Sequence, residues 1–277
     1  MSTPQELLHA GQLDAALQEL QQQVRKNPAD AKARIFLFQL LAVLGQWERA
    51  LTQLNVSGEL DPGALAMVQT YREALRCEAL REQVFAGKRS PMIFGDPEPW
   101  IALLLQALQL DADGRYADAQ KLRAQAFEQA PATAGSIDGQ VFEWMADADQ
   151  RLGPILEVIV NGNYYWVPMH RIRRVRMEAP EDLRDAVWMP AYLTWSNAGE
   201  SVGLIPTRYP GTQACEDGQL RLARKTDWQA YGADSYNGLG QRLLATDNAE
   251  YALMDIRQID FAPNADTVES AAGEQGG

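Results

Sequence analysis

A 34-residue repeat in the first half of the chain constrains its fold more than any other sequence feature. The segment GQLDAALQELQQQVRKNP starts at residue 11 and GQWERALTQLNVSGELDP starts at residue 45, so glycine and proline both recur at a spacing of 34. GRYADAQKLRAQAFEQAP repeats the pattern from residue 114, which is 69 residues after the second copy. The matching positions are Gly11, Ala16, Pro28, Gly45, Trp47, Ala50, Pro62, Gly114, Tyr116, Ala119 and Pro131. This spacing is typical of tetratricopeptide repeats, in which each unit is a helix–turn–helix.

Each repeated residue has a local role in such a helix pair. The glycine ends the first helix and permits the turn, and the proline stops the second helix. The aromatic residue is expected to wedge between the two helices, and the alanines let neighbouring helices approach. Because one pair cannot bury its apolar face alone, the pairs are expected to stack into a solenoid. The segment at about 63–97 is helical in composition but lacks the glycine and the aromatic residue.

A solenoid of this kind usually has a concave groove that binds a peptide or a helix. In the second repeat, the first-helix residues expected to line the groove are Lys32, Ile35, Gln39 and Ala42. The alternative is that the solenoid only packs against the second half of the chain.

From residue 155 onward, the sequence pattern is that of β-structure. ILEVIV and YYWVP flank NGN, which predicts a hairpin, and VWMPAYLTW and SVGLIP flank SNAGE, which predicts a second one. QLRLARKTDW and EYALMDIRQIDF are expected to form further strands. The pattern therefore predicts a small, mostly antiparallel sheet or a partly closed barrel.

The predicted fold class is α+β, with an N-terminal α-helical tetratricopeptide-like solenoid followed by a small, mostly antiparallel β-domain. The predicted segments are helical repeats at 1–131, a connecting helix and linker at 132–153, a β-rich domain at 154–261 and a disordered tail at 262–277. The connecting helix is predicted from VFEWMADADQRLG, which ends at residue 153.

The segment HRIRRVR, at 170–176, carries four arginines. Because Ile172 and Val175 are three residues apart, we expect a single helical turn anchored by these two, with the arginines on a solvated face. A partner-binding patch is the other interpretation of this segment.

The composition limits the compartment and the partners. The net charge is −12, so neither a nucleic acid nor an anionic membrane is an expected partner. The longest apolar runs, 35–45 and 100–110, are about half the length that a bilayer requires. The start of the chain lacks a signal-peptide pattern, and the two cysteines, Cys77 and Cys215, are far apart. A soluble, cytoplasmic protein without membrane insertion is therefore expected.

The sequence gives little support for catalysis. There are two histidines, no G-x-S-x-G nucleophile motif and no nucleotide-binding glycine pattern, so no catalytic residue, cofactor or metal is expected. The remaining enzyme hypothesis is an anion-binding site in SVGLIPTRYPGT, at 201–212. There Arg208 and Tyr209 stand between two prolines, and Arg224 and Lys225 are possible further anion ligands.

The same 201–212 segment also fits a rigid corner of a β-domain. Pro206 would end a strand, and Pro210 with Gly211 would form a type II turn. In this interpretation Arg208 pairs with an acidic residue of the fold, or faces a partner.

Four segments of the second half resemble the ImpE/TagJ family, whose members are accessory proteins of bacterial type VI secretion systems. They are GNYYWVPMHRIRRV, LRDAVWMPAYLTWSNAGESVGLIPTRYPGT, LRLARKTDW and ATDNAEYALMDIRQIDF. The motifs in 187–228 are the most specific, and the resemblance extends from the repeats to about residue 261. It implies a non-enzymatic cytoplasmic protein that associates with the small subunit of the contractile sheath, TssB. Through TssB it would connect to the ClpV ATPase that disassembles the contracted sheath.

The resemblance and the repeats together predict that a terminal helix of the small sheath subunit binds this protein. One candidate site is the solenoid groove. The other is the β-domain or its junction with the solenoid, where Trp166, Trp188 and Trp195 are candidate anchors, although each also fits core packing. A homo-oligomeric scaffold that dimerises through the solenoid is the alternative function.

Overall fold

The structure is a computed structural model that describes residues 2–232 and 235–263. Its helices are α1 (Pro4–His9), α2 (Leu13–Lys26), α3 (Ala31–Val43), α4 (Trp47–Leu60), α5 (Leu65–Phe85), α6 (Pro99–Ala112), α7 (Tyr116–Gln129) and the short α8 (Gly218–Arg221). Most of the predicted disordered tail, residues 264–277, lies outside the described residues.

The strands occupy mainly the second half of the chain. They are β1 (Met92–Ile93), β2 (Gly135–Ile137), β3 (Gln140–Phe142), β4 (Met145–Asp147), β5 (Ile155–Val160), β6 (Asn163–Pro168), β7 (Ile172–Met177), β8 (Trp188–Trp195), β9 (Glu200–Pro206), β10 (Thr226–Gly232), β11 (Ser235–Gly240), β12 (Leu243–Thr246), β13 (Glu250–Ala252) and β14 (Gln258–Phe261). The main sheet has the order β1-β6-β5-β9-β8-β7-β14-β2-β3, and a small sheet has the order β13-β12-β4. Strands β10 and β11 form a separate hairpin. The predicted α+β class is confirmed.

The repeat residues have the predicted local structure. Gly11, Gly45 and Gly114 follow α1, α3 and α6 with φ of 76°, 67° and 75°. After each glycine, the next amide donates to the carbonyl five residues before it, at 2.8–2.9 Å, which closes the first helix of each pair. Ala16, Ala50 and Ala119 are completely buried, so neighbouring helices approach closely there.

The repeat aromatics have contacts beyond their own helix pairs. The ring of Trp47 lies 6.2 Å from that of Trp188, and the ring of Tyr116 lies 5.2 Å from that of Tyr231. Both aromatic side chains therefore contact the second half of the chain, because the helices pack directly against it.

The irregular spacing of the third copy has a structural cause. Helix α5 is 21 residues long and ends at Phe85, two residues before Gly87, whose φ is 70°. The chain then forms β1, which pairs in parallel with β6, in place of the second helix of a repeat.

Both predicted hairpins are confirmed. In β5–β6, Val160 lies opposite Asn163 across the NGN turn. In β8–β9, the pairing runs from Trp188 opposite Pro206 to Thr194 opposite Glu200.

The predicted connecting helix at 141–153 is wrong, since this segment contributes to β3 and forms β4 and a turn. Strand β4 pairs with β12, and Asp147 forms an ion pair with Arg242, 95 residues later in the chain. These long-range contacts override the helical composition of the segment.

Two further local predictions are also wrong. In HRIRRVR, residues 172–176 belong to β7, which follows a short 3-10 turn at Met169–Arg171, and a bulge at residue 173 shifts the register between Ile172 and Arg174. The extra residue lets Ile172 and Val175, three apart, face the same core. In QLRLARKTDW, the carboxylate of Asp217 accepts from the amide of Gln219 and starts α8, so the strand begins only at Thr226.

The two faces of the main sheet pack into two different cores. In β5, Ile155 and Ile159 join the core that contains the helices, whereas Leu156, Val158 and Val160 join the core enclosed by the sheets. The helical repeats and the sheet therefore share one hydrophobic core along this face.

Candidate partner-binding surfaces

The predicted groove residues on α3 do not line an open groove. Lys32 is exposed and Ile35 is half-buried, but Gln39 and Ala42 are buried. The side-chain amide of Gln39 donates to Asp182 at 3.4 Å, just before the short 3-10 helix Leu183–Ala186. The groove prediction is wrong at Gln39 and Ala42, because the second half of the chain occupies that side of α3.

The sequence held a signal for this outcome. Residues 37–43 of α3 are all buried, and the apolar run IFLFQLLAV has no polar face. A helix that is apolar all round is buried on all sides, which favours the alternative that the solenoid packs on the β-domain.

The three tryptophans predicted as anchors are all buried. The indole nitrogens of Trp166, Trp188 and Trp195 donate to the Tyr164 hydroxyl, to Glu78 and to Ser201, at 2.8, 2.9 and 3.0 Å. Each indole therefore has a partner inside the fold, and core packing is the correct interpretation for all three.

Arg208 is buried and binds backbone carbonyls. Its guanidinium donates to the oxygens of Val43 at 2.8 Å and Arg221 at 2.5 Å. The prediction of an acidic partner is wrong, because the last turn of α3 offers carbonyls that no helical amide satisfies. Burial lowers the pKa of Arg208 to about 10, so the side chain remains charged at neutral pH.

The rest of the 201–212 segment is a rigid corner, as one interpretation predicted. Gly211 has φ 88° and ψ −13°, and the amide of Thr212 donates to the carbonyl of Tyr209 at 3.4 Å, as in a type II turn. The buried hydroxyl of Tyr209 donates to the carbonyl of Leu243 and accepts from its amide.

The other two candidate anion ligands also have partners within the fold. Arg224 donates to the carbonyl of His9 at 2.9 Å, and Lys225 pairs with Asp217 at 2.6 Å. Together with the burial of Arg208 and Tyr209, these contacts do not support the anion-binding alternative.

A buried network of charges joins the helices to the sheet, and we call it the seam network. Its members are Glu78, Arg81, Asp147, Asp149, Arg151, Glu157, Arg208 and Arg242. At its centre, Glu157 on β5 accepts from Arg81 on α5 at 2.7 and 2.9 Å, and from Arg242 and Tyr164. Arg81 also donates to the carbonyl of Arg208 at 2.9 Å. The four arginines and four carboxyls balance in formal charge.

Burial and ion pairing act in opposite directions on the carboxyls of the seam network. Burial alone would raise the pKa of Glu157, but the guanidiniums of Arg81 and Arg242 lower it to about 2. Burial raises the pKa of Asp147 to about 7, against the attraction of Arg242. The network therefore holds the helix–sheet seam and is not open to a ligand.

Exposed aromatic side chains lie on the β10–β11 hairpin, where Trp228 and Tyr236 are accessible, and on two further surfaces of the described residues. The first, here called the α7 cleft, has a volume of about 400 Å³; it lies between Phe127 and residues 130–132 on one side and residues 144–148, Gln150, Gly153, Pro154 and Ala245 on the other. The second, here called the open sheet face, is formed by Arg174, Arg176, Tyr192, Thr194 and Val202. Trp144 in the α7 cleft is not among the predicted site residues, because VFEWMADADQRLG was expected to form a helix.

Two kinds of feature are absent from the described residues. Across 2–232 and 235–263, no helix has the length and apolar content to cross a membrane. Over the same residues, no group of three or more His, Cys, Asp and Glu side chains is placed to hold a metal ion.

Comparisons with known proteins agree with the architecture. The family model described as ImpE protein matches residues 139–260, and a tetratricopeptide repeat model matches residues 7–74. The chain is similar to the type VI secretion system accessory component TagJ of Pseudomonas aeruginosa, with 58% identity over 259 residues, 94% of this chain and 91% of that protein. Its fold is similar to the crystal structure of protein VPA1032 from Vibrio parahaemolyticus, with a TM-score of 0.86 and 25% identity, over 95% of this chain and 98% of that one. The similarity covers both the repeats and the sheet, and the chain therefore belongs to the ImpE/TagJ family of type VI secretion accessory components.

Proposed function

We propose that this protein is a non-enzymatic, cytoplasmic adaptor of a bacterial type VI secretion system. In this proposal it binds a short terminal helix of the small sheath subunit, TssB, and links the contractile sheath to disassembly by the ClpV ATPase. The observation that carries the proposal is the 58% identity to a TagJ accessory component over 94% of the chain.

The chemistry of the described residues is consistent with an adaptor. The charged side chains of the seam network are buried and form ion pairs with one another, so they have structural partners within the fold. Tetratricopeptide-like helices usually serve protein–protein contact, and short amphipathic helices bind such proteins through anchors on one face.

A calorimetric titration of purified small sheath subunit into the full chain tests sheath binding. The matched control is the same subunit without its terminal helix. We expect saturable binding for the intact subunit and none for the truncated one. An absence of binding at hundreds of micromolar would contradict the proposal, and equal binding of both forms would exclude the terminal helix.

The link to ClpV needs a separate experiment. Immobilised ClpV is incubated with small sheath subunit in the presence and absence of this protein, and the retained subunit is quantified. More retained subunit in the presence of the protein is the expected result. Equal retention would show that the protein does not connect the two.

A further inference from the structure

We propose that the α7 cleft is the docking surface for the partner helix, and that Lys or Arg residues flank the apolar face of that helix. This inference rests on the proposed function, because it gives a place on the molecule to the helix of the small sheath subunit.

The α7 cleft is apolar and contains two accessible aromatic rings. The side chains of Trp144 and Phe127 are 42% and 38% exposed, which is unusual for rings of this size among otherwise apolar neighbours. A volume of about 400 Å³ is enough to take side chains of a docking helix, since binding pockets typically measure about 300–1,000 Å³. Aromatic side chains in such positions commonly provide much of the binding energy of an interface.

The cleft lies at the end of the helical repeats, where no further helix of the described residues covers α7. In the described part of the chain, β2 rather than a further helix follows α7. The last helix of a repeat array usually needs a capping element to cover its apolar side. Here the end of α7 meets the turn after β4 at the contact of Phe127 with Gly153, and the apolar cleft lies beside this contact, where a partner helix would add to the helical layer.

The far wall of the cleft is held rigidly. The amide of Asp147 donates to the carbonyl of Gly153 at 2.7 Å, and the carboxylate of Asp147 is fixed by Arg242 at 2.9 Å. The ring of Phe127 packs directly over Gly153, where a Cβ atom would lie only 2.3 Å from Cε1 of the ring. A preformed wall binds a helix without a further ordering cost.

The surroundings of the cleft, here called its rim, are acidic: four acidic residues lie next to lining residues in the sequence or in the strand pairing, and none of the four lines the cleft itself. Glu128 follows Phe127, and Glu143 precedes Trp144 and donates its amide to Asp247 at 2.8 Å. Glu250 lies opposite the lining residue Ala245 in the β12–β13 pair. These four carboxylates are exposed and make no ion pair with the described residues, and no Lys or Arg from those residues lines the cleft. A helix with basic residues beside its apolar face would therefore complement the rim and be steered towards it.

The open sheet face has a different, mixed charge. Its exposed Tyr192 and Val202 lie beside Arg174 and Arg176, and the Arg176 guanidinium stacks over the Tyr192 ring at 4.8 Å. Glu200 also lines this surface, and Arg174 pairs with Asp260 at 2.5 Å. Its exposed Tyr192 supplies a matched control for an aromatic variant of the α7 cleft.

The first test compares the affinity of full-length small sheath subunit for the full wild-type chain, Trp144→Ala and Tyr192→Ala. We expect Trp144→Ala to weaken binding by about 30-fold, as for a central aromatic anchor, and Tyr192→Ala to change it by less than about twofold. If wild type binds and Trp144→Ala binds equally well, the docking site is elsewhere and the proposed function stands. If wild type does not bind, the proposed function itself fails.

A second test of the cleft uses a double variant in which two acidic residues are replaced by lysine, so that the binding site can still be tested if Trp144→Ala does not fold. We expect Glu128→Lys with Glu143→Lys to weaken binding at least about tenfold at low salt, and the loss to shrink at high salt through screening. The control, Glu178→Lys with Glu200→Lys, makes the same change in net charge at exposed positions away from the cleft. Equal effects of the two pairs, or an unchanged affinity for the first, would overturn the inference.

Discussion

The guanidinium of Arg208 joins three parts of the chain that are distant in sequence. It donates to Val43 at the end of α3 and to Arg221 in α8, and its own carbonyl accepts from Arg81 in α5. The sequence predicted a rigid corner from the two flanking prolines and the turn at Gly211. It did not predict the carbonyl partners of Arg208, since one of them, Val43, lies at a helix end 165 residues away.

Replacement of this side chain is therefore expected to affect stability rather than partner binding. Arg208→Ala leaves buried carbonyls without donors, and we expect it to lower the free energy of unfolding by about 1.5–3 kcal/mol. Urea unfolding of the full chain measures this, and a titration with small sheath subunit serves as the control. Unchanged stability together with lost binding would mean that Arg208 contacts the partner.

The carboxylate of Glu157 is buried between the guanidiniums of Arg81 and Arg242. Removing its negative charge leaves the positive charges of both arginines buried without a full counter-charge. We expect Glu157→Gln to cost about 3–5 kcal/mol at neutral pH. The pKa of Glu157 is about 2 in the folded chain and about 4.3 in an unfolded one, so its contribution is complete above about pH 4.3 and is lost as the pH falls towards 2.

The free-energy difference between wild type and Glu157→Gln should accordingly shrink as the pH is lowered from 5 to 2. Denaturant unfolding of both proteins at several pH values measures it. A difference that stays constant over this range would show that Glu157 is not held ionised by Arg81 and Arg242.

At the scale of elements, the sequence correctly predicted those helices and hairpins whose formation depends on residues close together in the chain. The 34-residue spacing placed α1–α4, α6 and α7, and the turn sequences NGN and SNAGE placed two hairpins. It failed for 141–153 and 170–176, where the element type depends on distant partners. Asp147 needs Arg242 to be buried in β4, and the bulge at residue 173 is defined only by its pairing with β8.

Gly153 tests the contact between the end of α7 and the turn after β4. We expect Gly153→Ala to lower stability and to weaken sheath-subunit binding, since φ is 55° and the new Cβ would displace the Phe127 ring. Gly139→Ala is the matched control, because its φ is 84° but no atom lies within 4 Å of the added Cβ. It should cost only the backbone strain of about 1–2 kcal/mol and leave binding unchanged. Equal binding by both variants would argue against a role for the Phe127 wall.

At the scale of the whole molecule, the helices and the main sheet are parts of one structure. One hydrophobic core runs from Leu8 in α1 to Leu222 after α8, and the seam network crosses the same boundary. The repeats and the family segments were sufficient to predict the fold class and the family. The apolar run at the end of α3 indicated that this helix is covered, but the segment that covers it was not readable from the sequence, since it is defined by contacts such as Gln39 with Asp182, 143 residues apart.

A shared core predicts a single cooperative unfolding transition for the full chain. Far-ultraviolet circular dichroism reports mainly on the helices. Tryptophan fluorescence reports on both parts, since Trp166, Trp188 and Trp195 are buried in the sheet and Trp47 and Trp100 lie on α4 and α6. We expect the two signals to change at the same denaturant concentration. Two separate midpoints would mean that the repeats and the sheet are independent domains.

Hydrogen–deuterium exchange of the full chain, with and without saturating small sheath subunit, most directly tests whether the partner helix binds the α7 cleft. We expect slower exchange on binding at the end of α7 and in residues 144–154, with no change in α3, whose inner side is already covered. Protection of α3 without protection of the α7 cleft would contradict this assignment and would restore the solenoid groove as the binding site.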